Sequence, residues 1–154
     1  MFISRDIRYK MIKISELTQS TVEALYAINK LLPQLSSNSK GLSMERLSEI
    51  ADSDNTLLYL GTSEDGRILA MLSLIILKLP TGNKAWIEDV VVDHTVRGKG
   101  LGRALMNHAF EQAKKRGVKS IDLTSRPSRQ SANKLYQSLG YELRKTNVYR
   151  YEFS

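Results

Sequence analysis

The 154-residue chain has no cysteine, which removes disulfides, thiolate nucleophiles and thiolate metal ligands together. Histidine is scarce: His94 and His108 are the only two. No ligand cluster surrounds either, so no metal site is expected. There is no apolar run long enough to span a bilayer, and the N-terminus lacks a signal peptide's apolar segment and small-residue cleavage site. A cytoplasmic protein with no membrane partner is therefore expected. Aromatic residues make up 7% of the chain and are not interleaved with the basic ones. The formal charge of +7 is scattered rather than set in a run. Both features argue against a nucleic-acid partner.

What is present suits one domain over residues 1–154, with a real core. Hydrophobic content of 42% and charged content of 25% are ordinary for a globular protein. Residues 7–14 alternate loosely as a first strand. Residues 18–32 repeat at helical spacing through Val22, Leu25, Tyr26, Ile28, Asn29 and Leu32, until Pro33 ends the helix. Residues 33–43 are polar and aperiodic. Ser43 then caps a second helix over 44–51. Strands follow at 56–61 and 68–79, joined through Ser63-Glu64-Asp65-Gly66, and the turn Pro80-Thr81-Gly82-Asn83 leads into the next strand. Beyond the centre of the chain, Gly117 closes a helix and residues 119–124 form a short strand. Pro127 and Ser128 open a last helix that Gly140 ends, and residues 141–143 and 149–153 read as a closing pair of strands.

The organising stretch is residues 86–103, WIEDVVVDHTVRGKGLGR. Val90, Val91 and Val92 form a β-branched run that suits a strand covered on both faces. The chain then turns through Arg97, Gly98, Lys99, Gly100, Leu101, Gly102 and Arg103. After the turn, Ala104, Leu105, Ala109 and Ala113 give a helical apolar stripe. A helix start has backbone N–H groups without partners and a partial positive charge. Glycines let backbone approach an anion closely, and three basic side chains add donors, so the loop suits a pyrophosphate. A dinucleotide fingerprint fails because the third glycine position counted from Gly98 is Arg103, although Asp122 lies near the place of a ribose partner. A Walker loop fails because Gly102 is followed by arginine rather than by Lys-Ser/Thr.

The arrangement that fits is R-x-x-G-x-G, here Arg97, Gly100 and Gly102, and with it the chain resembles the GNAT superfamily of acyl-CoA-dependent N-acyltransferases. A second segment supports the resemblance: Asn133 and Tyr136 followed by Leu139-Gly140-Tyr141. The resemblance implies a single α/β domain with helices on both faces of a mixed, mostly antiparallel sheet, whose central parallel strand pair splays apart. It implies acetyl-CoA as co-substrate, its pyrophosphate on residues 97–103 and its pantetheine arm along the backbone of Val90, Val91 and Val92. Asn133 would contact that arm, and the Tyr136 hydroxyl would lie near the thioester sulfur. The basic balance of the chain then needs no explanation beyond the phosphates of coenzyme A.

Two kinds of residue carry the expected chemistry. A tyrosine is protonated at neutral pH and can give its proton to a departing thiolate, the role expected of Tyr136; the plainer reading is a core tyrosine. Glu88 and Asp89 are adjacent carboxylates in an apolar strand, where regular alternation points them to opposite faces. A carboxylate can take the proton an ammonium must lose before attacking a thioester. The pair resembles that of polyamine and amino-sugar acetyltransferases, which implies Glu88 as base and Asp89 as holder of a cationic substrate; the plainer reading is a surface carboxylate paired with Lys84. Ser128 is expected to cap the last helix, with Arg126 and Arg129 solvated.

The function expected is acetyl transfer to a primary amine, of a small molecule, by direct attack in a ternary complex. Absence of cysteine argues against a thioester-enzyme intermediate but leaves serine open. An enzyme acting on protein amines and a non-catalytic acyl-CoA-binding module are the rivals. A homodimer is left open.

Overall fold

A computed structural model describes residues 12–154. The strand expected over residues 7–14 therefore lies mostly outside the described residues. The chain divides into two compact units, one running to Thr124 and one from Ser125 to Ser154.

The first unit is a five-stranded mixed sheet in the order β1-β2-β3-β4-β5. Strands β1 (Lys13–Glu16), β2 (Thr56–Thr62), β3 (Ile68–Leu79) and β4 (Gly82–Val92) are antiparallel neighbours, and β5 (Ile121–Leu123) lies parallel to β4. The expected mixed, mostly antiparallel sheet is what forms.

Cross-strand partners share a face, so the ladder assigns the two sides. Leu58, Leu60, Met71 and Val91 face helices α1 (Val22–Leu35) and α2 (Met44–Ala51), packing with Ala24, Ile28, Leu31 and Leu47. On the other face Gly61 pairs with Ala70, and a Cβ on Gly61 would sit 3.4 Å from Leu101 Cδ1 of helix α3 (Leu101–Lys115). Leu105, Met106, Ala109 and Ala113 of α3 are buried on this second side. Burying a leucine fully is worth roughly 1.5–3 kcal/mol, so Leu105, at 0% exposure, is a main anchor of α3.

Several boundaries differ from the sequence reading. Helix α1 starts after Thr21, whose hydroxyl accepts from Ala24 N at 3.1 Å. It runs through Pro33 to Leu35. Proline forfeits one backbone bond there, but it sits in the last turn, where little helix remains to disrupt. The Asn29 side chain engages both backbone groups of Leu42, at 3.0 and 2.6 Å, and so pins the polar connection to α2. Helix α3 ends as expected, with Gly117 at φ +66 behind Arg116.

The second unit carries helix α4 (Gln130–Ser138). Its C-terminus is a Schellman closure: Tyr141 N donates to Tyr136 O, and Gly140 N donates to Gln137 O, both at 3.0 Å, with Gly140 at φ +89. The expected closing strands at 141–143 and 149–153 do not form. Leu143, Val148, Tyr149, Tyr151 and Phe153 are all exposed. Alternation along this tail satisfies strand periodicity, but among the described residues no strand supplies it with a ladder.

Candidate active site

Strand β4 is where the sheet becomes a site. Its parallel pairing with β5 runs through Ala85↔Ile121 and Trp86↔Asp122 and stops at Ile87↔Leu123. β4 itself continues to Val92. Along residues 88–92 the β5 side of the strand therefore has no ladder neighbour among the described residues. Among the described residues the parallel pair lies at the edge of the sheet rather than at its centre as expected, and β5 ends before β4 does. This leaves backbone donors and acceptors in the extended form an elongated amide-bearing ligand can pair with.

The antiparallel side of β4 is interrupted at the same place. Val92 pairs with Ala70, Val91 with Met71, and the next partner pair is Glu88 with Ser73. Asp89 and Val90 together oppose Leu72, a β-bulge, and Asp89 has φ +52. Aspartate tolerates this left-handed conformation better than most residues. The bulge corrects the expectation that Glu88 and Asp89 alternate regularly across a strand. It also shifts the valines: Val91 is buried in the α1 and α2 core, while Val90 and Val92 stay partly accessible.

Glu88 lies on the α1 and α2 face with Ser73 and Trp86. Its Oε1 accepts from Trp86 Nε1 at 2.7 Å, so its partner is the indole rather than Lys84. Asp89 is open to solvent on one side. Burial of the remainder of its surroundings pushes its pKa up, and the neighbouring Glu88 charge adds to the rise.

A polar hinge follows. Asp93 Oδ1 accepts from Thr95 N at 2.9 Å, and its Oδ2 accepts from Gln34 Nε2 at 3.1 Å. Burial opposes the charge on Asp93, but the bonds from Thr95 and Gln34 outweigh it and hold the pKa below the ordinary value. Gln34 Oε1 in turn accepts from His94 N at 2.9 Å. A single 3-10 turn, His94–Val96, leads on, and Arg97 Nε donates to Val92 O at 3.0 Å.

The glycine loop takes the form its sequence requires. Gly98 has φ +75 and Gly100 φ +82, and a Cβ at either would meet nothing within 4 Å. Glycine is needed for backbone conformation, and open space lies above it. The first intrahelical bond of α3 is Ala104 N to Gly100 O, at 3.0 Å. The N–H groups of Leu101 and Gly102 lie ahead of that first bond, in the turn whose donors an intrahelical ladder does not reach. Arg97, Lys99 and Arg103 are exposed around that end, while Leu101 is buried and anchors it. Donors, dipole and room all fit a pyrophosphate.

In the second unit, Asn133 and Tyr136 sit one turn apart on α4. Asn133 Nδ2 donates to Arg126 O at 3.0 Å and so braces the turn before the helix. That turn delays the helix: Arg129, not Ser128, occupies the N-cap, and no side chain caps it. Tyr136 is buried, with its ring 6.2 Å from that of Tyr141. Burial raises its pKa, partly offset by Arg129, so it holds its proton well above neutral pH.

His94 is an exposed turn residue, as expected. His108 packs edge-on to Tyr59 at 4.7 Å. Among the described residues no group of three or more His, Asp or Glu is placed to hold a metal ion.

Sequence reasoning assigned no role to Trp86 or Gln34. Trp86 stands two residues before Glu88, a spacing that puts both on one strand face, which is a usable signal. Gln34 was hidden by reading Pro33 as the end of α1.

Comparison with known proteins agrees with this geometry. The family model of the acetyltransferase (GNAT) family matches residues 23–141. The ribosomal protein bS18-alanine N-acetyltransferase of Escherichia coli is 39% identical over 59 residues, which cover 38% of this chain and 40% of that protein. The mycothiol acetyltransferase of Beutenbergia cavernae is 34% identical over 89 residues, 57% of this chain and 29% of its own length. These matches thus span less than half of each curated relative. Among solved structures, an aminoglycoside acetyltransferase from an uncultured soil metagenomic sample, in complex with sisomicin, superposes with TM-score 0.81 at 17% identity, covering 93% of this chain and 96% of that one. Glucosamine-6-phosphate N-acetyltransferase from Arabidopsis thaliana gives TM-score 0.76 at 24% identity, with 92% and 99% covered. At such identities the structural likeness establishes the fold. With the family model spanning most of its length and the glycine loop in place at the start of α3, the chain belongs to the GNAT family of acetyltransferases.

Proposed function

We propose that the protein transfers the acetyl group of acetyl-CoA to a primary amine of a small molecule, by direct attack in a ternary complex. The observation that carries this reading is the continuity of one segment. A carboxylate at the β4 bulge, an unladdered strand end and an anion-ready glycine loop follow one another within residues 88–103.

In this mechanism residues 97–103 hold the pyrophosphate of acetyl-CoA, with the N–H groups of Gly98, Gly100 and Gly102 and the side chains of Arg97, Lys99 and Arg103 as donors. The backbone of Val90, Val91 and Val92 pairs with the pantetheine amides, and Asn133 contributes a further contact. Asp89 holds the cationic acceptor, and Glu88 takes one proton from its ammonium, directly or through water. The freed nitrogen attacks the thioester carbon, the C–N bond forms and the C–S bond breaks. Tyr136 gives its proton to the leaving thiolate, and the proton shed by the new amide nitrogen restores the tyrosine through solvent. Burial suits Tyr136 to this role, because it keeps the hydroxyl protonated.

Supporting a small acceptor are Glu88 and Asp89, carboxylates on a chain whose net charge is +7. A protein amine is the second reading, favoured by the name of the Escherichia coli relative. An acetyl-CoA turnover screen across polyamines, amino sugars, aminoglycosides, amino acids and peptides separates them. Preferential turnover of peptides overturns the small-molecule reading. Binding of acetyl-CoA with no turnover of any amine leaves a non-catalytic module.

A further inference from the structure

Glu88 is a long, exposed side chain on β4. A base must hold its reactive oxygen in place, and a free glutamate spreads over several rotamers, at a cost of up to roughly 2 kcal/mol to order. The structure supplies the ordering from the same strand. Trp86 lies two residues earlier, on the same face, and its Nε1–H donates to Glu88 Oε1 at 2.7 Å. The backbone that carries the indole is fixed: Trp86 is laddered on both sides, to Ile75 of β3 and to Asp122 of β5, and these are among the last rungs before the parallel pairing stops at Ile87. Glu88, by contrast, has Ser73 on one side and, among the described residues, no strand on the other. Rigid backbone at Trp86 thus reaches through a hydrogen bond to a carboxylate that stands beyond the rigid part.

We infer that Trp86 is a positioning residue for Glu88: it engages one carboxylate oxygen so that the other is presented to the acceptor ammonium. This inference rests on the reading of Glu88 as the base. Trp86 forms no bond with substrate in it and acts only through the glutamate. The indole suits this role because it is a donor only and cannot compete with Glu88 for the ammonium proton.

A double-mutant cycle tests the coupling. Trp86→Phe keeps an aromatic ring on the strand and removes the donor. It is expected to lower kcat about tenfold, in keeping with the cost of misplacing a reacting group, with acetyl-CoA affinity by calorimetry unchanged. In a Glu88→Gln background the same substitution is expected to change nothing further, since there is no base left to position. Additive losses, or no loss in the otherwise native enzyme, overturn the inference while the base role stands. An inert Glu88→Gln overturns the base role itself, and the inference with it.

A second measurement is independent of activity and of the stability of a Trp86 variant. Trp86 is the only tryptophan of the chain, so the protein gives one indole N–H signal in a nitrogen–proton NMR spectrum. Glu88→Ala is expected to shift that signal and to speed its exchange with solvent. An unmoved signal means the bond does not exist in solution and overturns the inference.

Discussion

The glycine loop at residues 97–103 and the carboxylate bulge at 88–90 lie within one segment, yet they are built in opposite ways. The loop is local. Its two left-handed glycines, its helix start and its basic side chains all follow one another in sequence, and its only deep anchor is Leu101. The bulge is made by partners far away. Asp89 and Val90 are two residues against one only because Leu72 of β3 opposes them, and Glu88 is placed by Ser73 and Trp86. One region is basic and, in the proposed mechanism, would bind through backbone N–H groups and cationic side chains; the other is acidic and would act through carboxylates. On the proposed mechanism, the difference teaches that anion recognition would be a property of one short stretch of chain, whereas proton transfer would be a property of a sheet.

The sharpest way to break this contrast is Gly100→Val. At φ +82 a β-branched residue is strained, and its side chain enters the space left for the anion. Acetyl-CoA binding is expected to fall more than about 100-fold, on the scale of losing several charge-assisted hydrogen bonds. Retained affinity in calorimetry refutes the backbone-binding account. Tyr136→Phe follows. It is expected to lower kcat by roughly 10²–10⁴-fold, less if water replaces the hydroxyl, with acetyl-CoA affinity intact. An unchanged kcat makes Tyr136 a core residue. Glu88→Gln is expected to lower kcat/KM roughly 10²-fold at neutral pH and to move the pH–rate profile upward, because the amine must then lose its proton to solvent. An unshifted profile gives the base role to Asp89 or to water.

The same contrast explains what the sequence disclosed. The loop, the α3 stripe, the β2–β3–β4 meander and the α2 cap were legible because each depends on neighbours in the chain. The bulge was not, because nothing near Asp89 marks it as left-handed; only pairing with β3 does. Pro33 read as a helix end, yet α1 continues to Leu35 and thereby brings Gln34 to Asp93 and His94. The tail alternates Tyr149, Tyr151 and Phe153 as a strand does, but periodicity describes a face and cannot supply the partner it needs.

Gln34 joins the two regions, since it holds the turn between the end of β4 and the loop. Its amide bonds Asp93 Oδ2 and the His94 N–H, at 3.1 and 2.9 Å. Gln34→Ala removes both bonds without touching either region. It is expected to weaken acetyl-CoA about three- to tenfold, the worth of about one net hydrogen bond. If kcat falls instead with affinity intact, the hinge serves the acidic region and not the loop.

The smallest effect expected is on stability, and it lies at the bulge. Burial and the Glu88 charge raise the pKa of Asp89 above its ordinary value. The folded protein therefore holds a proton on Asp89 at pH values where the unfolded chain, with a carboxylate near pKa about 3.9, has released it. Stability falls with rising pH wherever the native state binds more protons. Here that window runs from the unfolded value up to the raised folded one, and at neutral pH the full cost of the charge is present. Asp89→Asn keeps a residue that tolerates φ +52 and removes the charge. It is expected to raise the melting temperature slightly at pH 7, with the gain shrinking as pH falls through the window. The glycine loop gives no such gain, since Gly98 and Gly100 sit in conformations that only glycine adopts readily. A melting-temperature series from pH 7 to pH 3 on wild type and Asp89→Asn decides the point. A difference that stays constant with pH means the aspartate charge is not strained by its setting. A destabilised variant means Asp89 holds the bulge together rather than straining it.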